Sequence, residues 1–230
     1  MPLPDKCCSI EAAIARIPDG ARVMVGGFGV PGTPFCLLHE LRRQGQRELT
    51  LIKNDANEVG MGVDWLLESG QVRRLITSHI GLNANAINRM NTGRLEVVLV
   101  PQGILAERIR VAGAGALGFI SDIGIGTALT EGRPLLTIDG RQGVVETALS
   151  ADFALIHAAA ADSFGNLRFA ASARNFNPIM AMAAEHSIVE AETVLPLGAI
   201  PPDDVHLPGP FVADVVALGK LPEVYGVVKR

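Results

Sequence analysis

Short apolar runs that end in small or polar residues recur through the first hundred positions, and stretches with helical spacing separate them. Arg22–Val25 runs directly into Gly26-Gly27-Phe28-Gly29-Val30-Pro31-Gly32, and Leu49–Ile52 leads to Asn54-Asp55. Val72–Thr77 ends in Ser78-His79, and residues 95–100 end in Pro101-Gln102-Gly103. Each run has the length and content of a buried strand. Residues 9–15 predict a short helix capped by Ser9, with Ile10, Ile14 and Ile17 roughly on one face. Thr33-Pro34 predicts a second helix with Thr33 as its cap and Pro34 at the first helical position, followed by Leu37, Leu38 and Leu41 on the apolar side. Further helical stretches cover residues 65–69 and 104–110. Strands alternating with helices predict an α/β fold, an open and mostly parallel sheet with flanking helices, which binds ligands outside the carboxyl ends of its strands.

Beyond residue 120 the rhythm changes. Residues 135–139, 144–149 and 153–159 are closely spaced apolar runs with turn signals at Asp139-Gly140 and Gly165-Asn166, which predicts an antiparallel excursion before the chain rejoins the main sheet. A helix is expected over 178–185, with strands over 187–191 and 211–216. No repeat, low-complexity tract or linker interrupts the chain, so one domain over residues 1–230 is expected.

Composition narrows the class. Apolar residues make up 48% of the chain but aromatics only 4%, so the core must be built from Val, Ile, Leu and Ala, as buried parallel strands are. Twenty basic and 24 acidic residues give a net charge of −4 with no basic block, which argues against nucleic acid as a partner. The longest uncharged stretch, residues 23–39, holds four Gly and two Pro and is no membrane span. Met1-Pro2-Leu3-Pro4-Asp5-Lys6 lacks the layout of a secretory signal. Cys7, Cys8 and Cys36 have no metal spacing, so a cytoplasmic, metal-free protein is expected.

Gly27, Gly29 and Gly32 satisfy G-x-G-x-x-G between a strand and a helix, and Asp55 follows the next strand, as in dinucleotide-binding proteins. The physical reading is broader. Glycines let backbone approach an anion, and the helix opening near Thr33 offers N–H donors and a positive dipole end to a phosphate or carboxylate. Pro31 brings no N–H to the loop and weighs against the nicotinamide version, and a connection that merely packs helix on strand also fits. Among the histidines His39, His157 and His206 show no constellation, while His186 falls at a helix end, where it complements the dipole.

Read from Asp19-Gly20 to Pro34, the first glycine segment resembles the N-terminal signature of the family I coenzyme A transferases: Asp-Gly, an apolar run, Gly26-Gly27-Phe28, Gly32 and Pro34. Ser78-His79-Ile80-Gly81-Leu82-Asn83, Val100-Pro101-Gln102-Gly103, Leu105-Ala106-Glu107-Arg108-Ile109-Arg110, Gly124-Ile125-Gly126-Thr127 and Ser172-Ala173-Arg174-Asn175-Phe176-Asn177-Pro178 are similar to the family's later blocks, in order. Pro202-Asp203-Asp204-Val205-His206 resembles its C-terminal end. The resemblance implies the family's fold and the α subunit of a transferase for 3-oxoacids or short-chain acids such as acetate or acetoacetate, within ketone-body or short-chain fatty acid metabolism. In the implied mechanism a glutamate carboxylate attacks an acyl-CoA, passes through a mixed anhydride and a glutamyl-CoA thioester, and hands CoA to a free acid.

The family's glutamate lies in a Glu-Asn-Gly motif that this chain lacks, so the resemblance implies a β subunit carrying it in an α2β2 assembly. Glu68-Ser69-Gly70, the nearest imitation, reads as a solvated residue after a helix followed by a C-terminal glycine, and Glu107 as a helical residue in an ion pair with a nearby arginine; Glu58 and Glu146 have no supporting pattern. The resemblance assigns Gln102 as an oxyanion donor, Gly26, Gly27, Phe28, Gly29, Val30, Pro31 and Gly32 as the CoA-contacting loop, and Gly103 as the residue that keeps room beside Gln102. It places Asn54, Ser78, His79 and Asn83 in the acid pocket, although strand ends also collect turn-forming Asn and Ser. CoA and acyl-CoA enter as substrates, with no tightly bound cofactor. The second glycine loop departs from the family pattern at Ala112 and Leu117, which bears on substrate size. Two other readings stay open: a dinucleotide-dependent oxidoreductase, and a non-catalytic acyl-CoA-binding module.

Overall fold

The structure is a computed structural model that describes residues 3–218; Met1-Pro2 and residues 219–230 of the expected single domain lie outside the described residues. Its first half alternates strand and helix: β1 (Cys7–Cys8), α1 (Ile10–Ile14), β2 (Arg22–Val25), α2 (Phe35–Gln44), β3 (Leu49–Ile52), α3 (Val63–Glu68), β4 (Val72–Thr77), α4 (Ala84–Asn91), β5 (Glu96–Leu99) and α5 (Gln102–Gly113). The second half holds β6 (Gly118–Ser121), β7 (Leu135–Ile138), β8 (Arg141–Thr147), β9 (Ala151–Ala158), β10 (Ala160–Asp162), β11 (Leu167–Arg168), α6 (Asn177–Ala183), β12 (Ala184–Ala191), β13 (Val194–Leu195) and β14 (Asp214–Ala217). Eight strands form one sheet in the order β1-β14-β12-β9-β2-β3-β4-β5, every neighbouring pair parallel. Strand order reverses between β2 and β9, which makes the crevice at their carboxyl ends the topological switch point.

Alternate residues of each strand pack into two cores. Val23, Val25, Leu51, Leu75, Leu155 and Ile188 face Ile14, Leu37, Leu38, Leu41, Leu66 and Ala86 of α1–α4. Met24, Ile52, Ile76, Ile156 and Val189 face Ile104, Leu105, Ile109, Met180 and Ala181 of α5 and α6. Helices therefore cover both faces, and the period-2 alternation of the strands sorts one core from the other. The aliphatic core expected from composition is present, with Phe35, Phe169 and Phe176 the phenylalanines buried in the protein.

The mostly parallel sheet and the antiparallel excursion are both found, but their border moves. Of that stretch, residues 153–158 belong to β9 at the centre of the main sheet, where Ala154, Leu155 and Ile156 are wholly buried between the two helical layers. The excursion is β6-β8-β7, an antiparallel sheet whose first strand carries no apolar alternation that marks it. Helix α4 is also absent from the sequence reading, although Ala86, Ile87 and Met90 share one face and pack on the core of α1–α4. Asn83 caps it by accepting from Ala86 N at 2.8 Å, so Asn83 is a helix cap and not a strand end. Helix α6 stops at Ala183 because Ala184 is already extended, which puts His186 in β12, where its Nε2 lies 2.6 Å from Asp214 Oδ2. His186 thus pairs with a carboxylate on the neighbouring strand and complements no dipole. The last strand begins at Asp214, after a 3-10 turn over Gly209–Phe211.

Candidate active site

Four consecutive strands deliver their carboxyl ends to one edge of the sheet. Residues 26–32 follow β2, Lys53-Asn54-Asp55 follow β3, Ser78-His79 follow β4, and Pro101-Gln102-Gly103 follow β5, with Gln102 opening α5. A hydrogen-bonded chain crosses all four. Gly29 N donates to Asn54 Oδ1 at 3.2 Å, Ser78 Oγ reaches Asn54 O at 2.6 Å, and Ser78 Oγ contacts the Gln102 side-chain amide. Ser78 has a single hydroxyl hydrogen and the Asn54 carbonyl can only accept, so the hydroxyl donates to Asn54 O, and Gln102 turns its NH2 toward Ser78 Oγ. Gln102 spends one Nε2 hydrogen on that contact and keeps the other. A ligand therefore finds an amide hydrogen at the start of a helix, where the dipole favours negative charge. A Cβ at Gly103 would meet no atom within 4 Å, which leaves room beside that amide.

The predicted site residues divide by exposure. Phe28, Pro31, His79 and Gly103 are exposed, and Gly29, Val30, Ser78 and Gln102 are half-buried, so these eight can meet a ligand. Asn54 is buried and serves as the bridge just described, while Asn83 is fully buried and donates to Ala56 O and Asp64 Oδ1. Gly26, Gly27 and Gly32 are buried as well, and their need for glycine is internal. Side chains there would collide with Asn177, Thr33 and Ala173 respectively. Phe28 stacks on Phe176 with ring centroids 6.4 Å apart and still presents an open face.

The first turn of α2 corrects the expectation of a ligand-binding helix start. Pro34, not Thr33, occupies the cap position, and Thr33 Oγ1 instead donates to Gly29 O at 2.6 Å. Leu37 N donates to Glu190 Oε2 at 2.9 Å, and Cys36 adds a second backbone hydrogen bond to the same carboxylate. The chain's own buried glutamate therefore holds the donors that sequence reasoning offered to a phosphate. His157, which showed no constellation in the sequence, lies between Glu190 Oε1 and Glu192 Oε1, 3.0 Å from each. Its backbone N donates to Asn177 Oδ1, and Asn177 Nδ2 donates to Gly32 O at 3.1 Å, closing the switch-point crevice from β9 to the glycine loop.

Burial works against a charge on His157, but the hydrogen bonds and charges of Glu190 and Glu192 outweigh it and hold the imidazole above its ordinary range. Burial pushes the Glu190 carboxyl up, against the pull of His157 and the α2 N–H groups. A raised histidine gives its full stabilisation below the unfolded pKa of about 6.5, and that stabilisation is lost as pH rises through the folded value. Melting temperature is therefore expected to fall from pH 6 towards alkaline pH, with a shallower fall in His157→Gln; parallel slopes would contradict the pairing.

A second expectation follows from the glycines. At Gly32, φ is +76° and a Cβ would sit 2.6 Å from Ala173 O, whereas at Gly29, φ is +58° and the nearest atom, Asp55 Oδ2, is 3.8 Å away. Gly29→Ala should cost about 1–2 kcal/mol of left-handed strain alone, and Gly32→Ala distinctly more in urea denaturation, because backbone must also move. Equal losses would show that the loop packs otherwise.

Lys53, which the sequence reading passed over, is wholly buried at the end of β3. Its Nζ donates to Gly29 O and Asn54 Oδ1 at 3.2 Å each and lies 3.2 Å from Asp55 Oδ1. Burial pushes this ammonium below the ordinary lysine range, with Asp55 opposing the shift. The signal in the sequence was a charged residue directly after the buried strand Leu49-Thr50-Leu51-Ile52. Asp55, the acidic residue of the dinucleotide pattern, is therefore engaged by a lysine from its own strand end. Glu107 pairs with Arg110 as expected, Glu68 with Arg42, and Glu146 with Arg133. No group of three or more metal-ligating side chains occurs among the described residues, and none of their helices is long and apolar enough to cross a membrane.

The family model for coenzyme A transferase matches residues 8–218. The alpha subunit of acetate CoA-transferase from Escherichia coli (strain K12) is 43% identical over 211 residues, covering 92% of this chain and 96% of that one. The corresponding subunit of succinyl-CoA:3-ketoacid coenzyme A transferase from Xanthomonas campestris pv. campestris (strain B100) is 45% identical over 214 residues, 93% of this chain and 88% of that one. A crystal structure of an acyl-CoA transferase from E. coli O157:H7, in a thioester complex with CoA, shares the fold with a TM-score of 0.83 at 24% identity. It covers 97% of this chain, which spans 49% of that longer chain. With a family model across nearly all its length and relatives above 40% identity, the chain belongs to the coenzyme A transferase family.

Proposed function

We propose that this chain is the α subunit of a transferase that moves CoA between an acyl-CoA and a free short-chain or 3-oxo acid, and that a β subunit supplies the nucleophilic glutamate. The observation that carries the reading is the Gln102 amide, presented at a helix start by Ser78 and open on the side of Gly103. Attack on a thioester carbonyl builds a tetrahedral oxyanion, and a pre-aimed N–H stabilises it more than the ground state. The loop tip Phe28-Gly29-Val30-Pro31, exposed at Phe28 and Pro31, supplies an apolar wall for the pantetheine, and Ser78 and His79 line the acid's side.

Exposed apolar side chains on the excursion support a partner: Leu117 is 93% exposed, and Ile120, Ile123, Leu129, Leu135, Leu136 and Ile138 are exposed with it. Patches of this kind mark interaction surfaces. Leu117 points into solvent, so its effect on substrate size would act through what the partner brings to it. An α2β2 assembly in the cytoplasm, where the free thiols of Cys7, Cys8 and Cys36 stay reduced, completes the reading. The engagement of Asp55 by Lys53 weighs against the dinucleotide alternative.

Purified alone, the chain should not exchange CoA between acetoacetyl-CoA and acetate; co-purified with a glutamate-bearing β subunit, it should. Turnover by the chain alone would overturn the division of labour. Tight acyl-CoA binding with no turnover beside any β subunit would point to a binding module. NADH binding that Asp55→Ala weakens would point to an oxidoreductase.

A further inference from the structure

We propose that Lys53 is a positioning residue for the transfer reaction, acting through Asn54 and Ser78 to aim the Gln102 amide; the inference rests on the oxyanion role proposed for Gln102. Burying an ammonium beside one carboxylate is costly, and an apolar side chain of similar volume would fill the same space without that cost. What the ammonium adds is direction. From one point it meets three oxygens, Gly29 O, Asn54 Oδ1 and Asp55 Oδ1, and so ties the loop after β2 to the end of β3.

Of these oxygens, Gly29 O is over-supplied, since Thr33 Oγ1 donates to it at 2.6 Å and Asn57 Nδ2 at 2.8 Å. The loop keeps its shape without Lys53. Asn54 Oδ1 has Gly29 N as its other donor, at 3.2 Å, so Lys53 is half of what fixes that side chain. The main-chain carbonyl of that same residue, not its side chain, receives both the backbone N and the hydroxyl of Ser78, at 3.1 and 2.6 Å, and that hydroxyl meets Gln102, so pinning the Asn54 side chain steadies the backbone that holds Ser78. Lys53 is wholly buried and touches no substrate; its influence runs along this line.

The test compares four variants, each assembled with the β subunit: Lys53→Met, Ser78→Ala, Gln102→Ala and the Lys53→Met/Gln102→Ala double. Loss of aim without loss of the loop predicts that Lys53→Met lowers kcat about 10- to 100-fold, with the KM for acyl-CoA little changed. In the double variant kcat should be no lower than in Gln102→Ala, because a residue that works through Gln102 has nothing left to position. A structural role alone would give effects that multiply, or a rise in KM, and either would overturn the inference. Unchanged kcat in a folded Lys53→Met beside an impaired Gln102→Ala would overturn it while leaving the proposed function intact. Unchanged kcat in Gln102→Ala would remove that function's oxyanion donor and the inference together. Should Lys53→Met fail to fold, half-buried Ser78 decides: Ser78→Ala is expected to lower kcat, again without adding to Gln102→Ala, and full activity would overturn the proposal.

Discussion

Gln102→Ala, measured in the chain assembled with its partner, is expected to lower kcat about a hundredfold, the loss typical of one oxyanion donor. The KM for acyl-CoA should move little, because the donor acts on charge that develops only in the transition state. Gln102 sits at the first position of α5 and touches Ser78, and no apolar cluster depends on its side chain. The variant should therefore fold and melt like the parent. A full rate would remove Gln102 from the reaction.

Glu190→Ala should produce the largest loss of stability. The wholly buried carboxylate holds His157 Nδ1 at 3.0 Å and takes the Leu37 and Cys36 N–H groups at the start of α2. Removing one partner of a buried charge pair typically costs about 3–5 kcal/mol, and here the helix start loses its cap as well. Glu192 meets the other face of the same imidazole but is partly exposed, so Glu192→Ala should cost about 1 kcal/mol or less. Urea denaturation of the two variants checks the order. Equal losses would mean that His157 alone, and not the helix start, is what Glu190 serves.

Most of the main sheet, though not β1 or the placement of β9, was legible in the sequence because these strands are apolar runs bounded by small polar residues, as strands buried on both sides must be. Ser9 as the cap of α1 was legible for a similar reason, since capping is a local event: its hydroxyl accepts from Ala12 N at 3.2 Å. What failed was whatever depended on partners far away in sequence. Thr33 reads as a cap from its neighbours, but Glu190, more than 150 residues later, already satisfies the helix start, and Thr33 turns back to Gly29. His157, Glu190 and Asn177 come from β9, β12 and α6, and no spacing announces that a parallel pairing and a crossover bring them together. Helix α4 went unread although Ala86, Ile87 and Met90 mark an apolar face, and the tie from its cap Asn83 to Asp64 was invisible until both were placed.

In the candidate site, the strand ends that sequence pattern singled out lie along one edge of the sheet, but which of them are open and which are enclosed was not legible. Phe28, Ser78, His79, Gln102 and Gly103 remain open to a ligand, whereas Asn54 and the glycines Gly26, Gly27 and Gly32 build the frame that presents them. Lys53 was missed because a charged residue at a strand end reads as solvated, and only the three-dimensional loop shows that it is enclosed.

On the proposed function, the attacking carboxylate belongs to another polypeptide. In the exchange of acyl-CoA with an enzyme carboxylate, the thioester C–S bond breaks, CoA passes to the enzyme as a new thioester and the acyl group leaves as a carboxylate. The assembled enzyme, mixed with acyl-CoA in the absence of acceptor, quenched and separated into its two polypeptides, can be weighed by mass spectrometry. The prediction is CoA, less one water, on the partner polypeptide, with this chain at its unmodified mass. CoA bound to this chain, on Glu58 or on any other carboxylate, would contradict it.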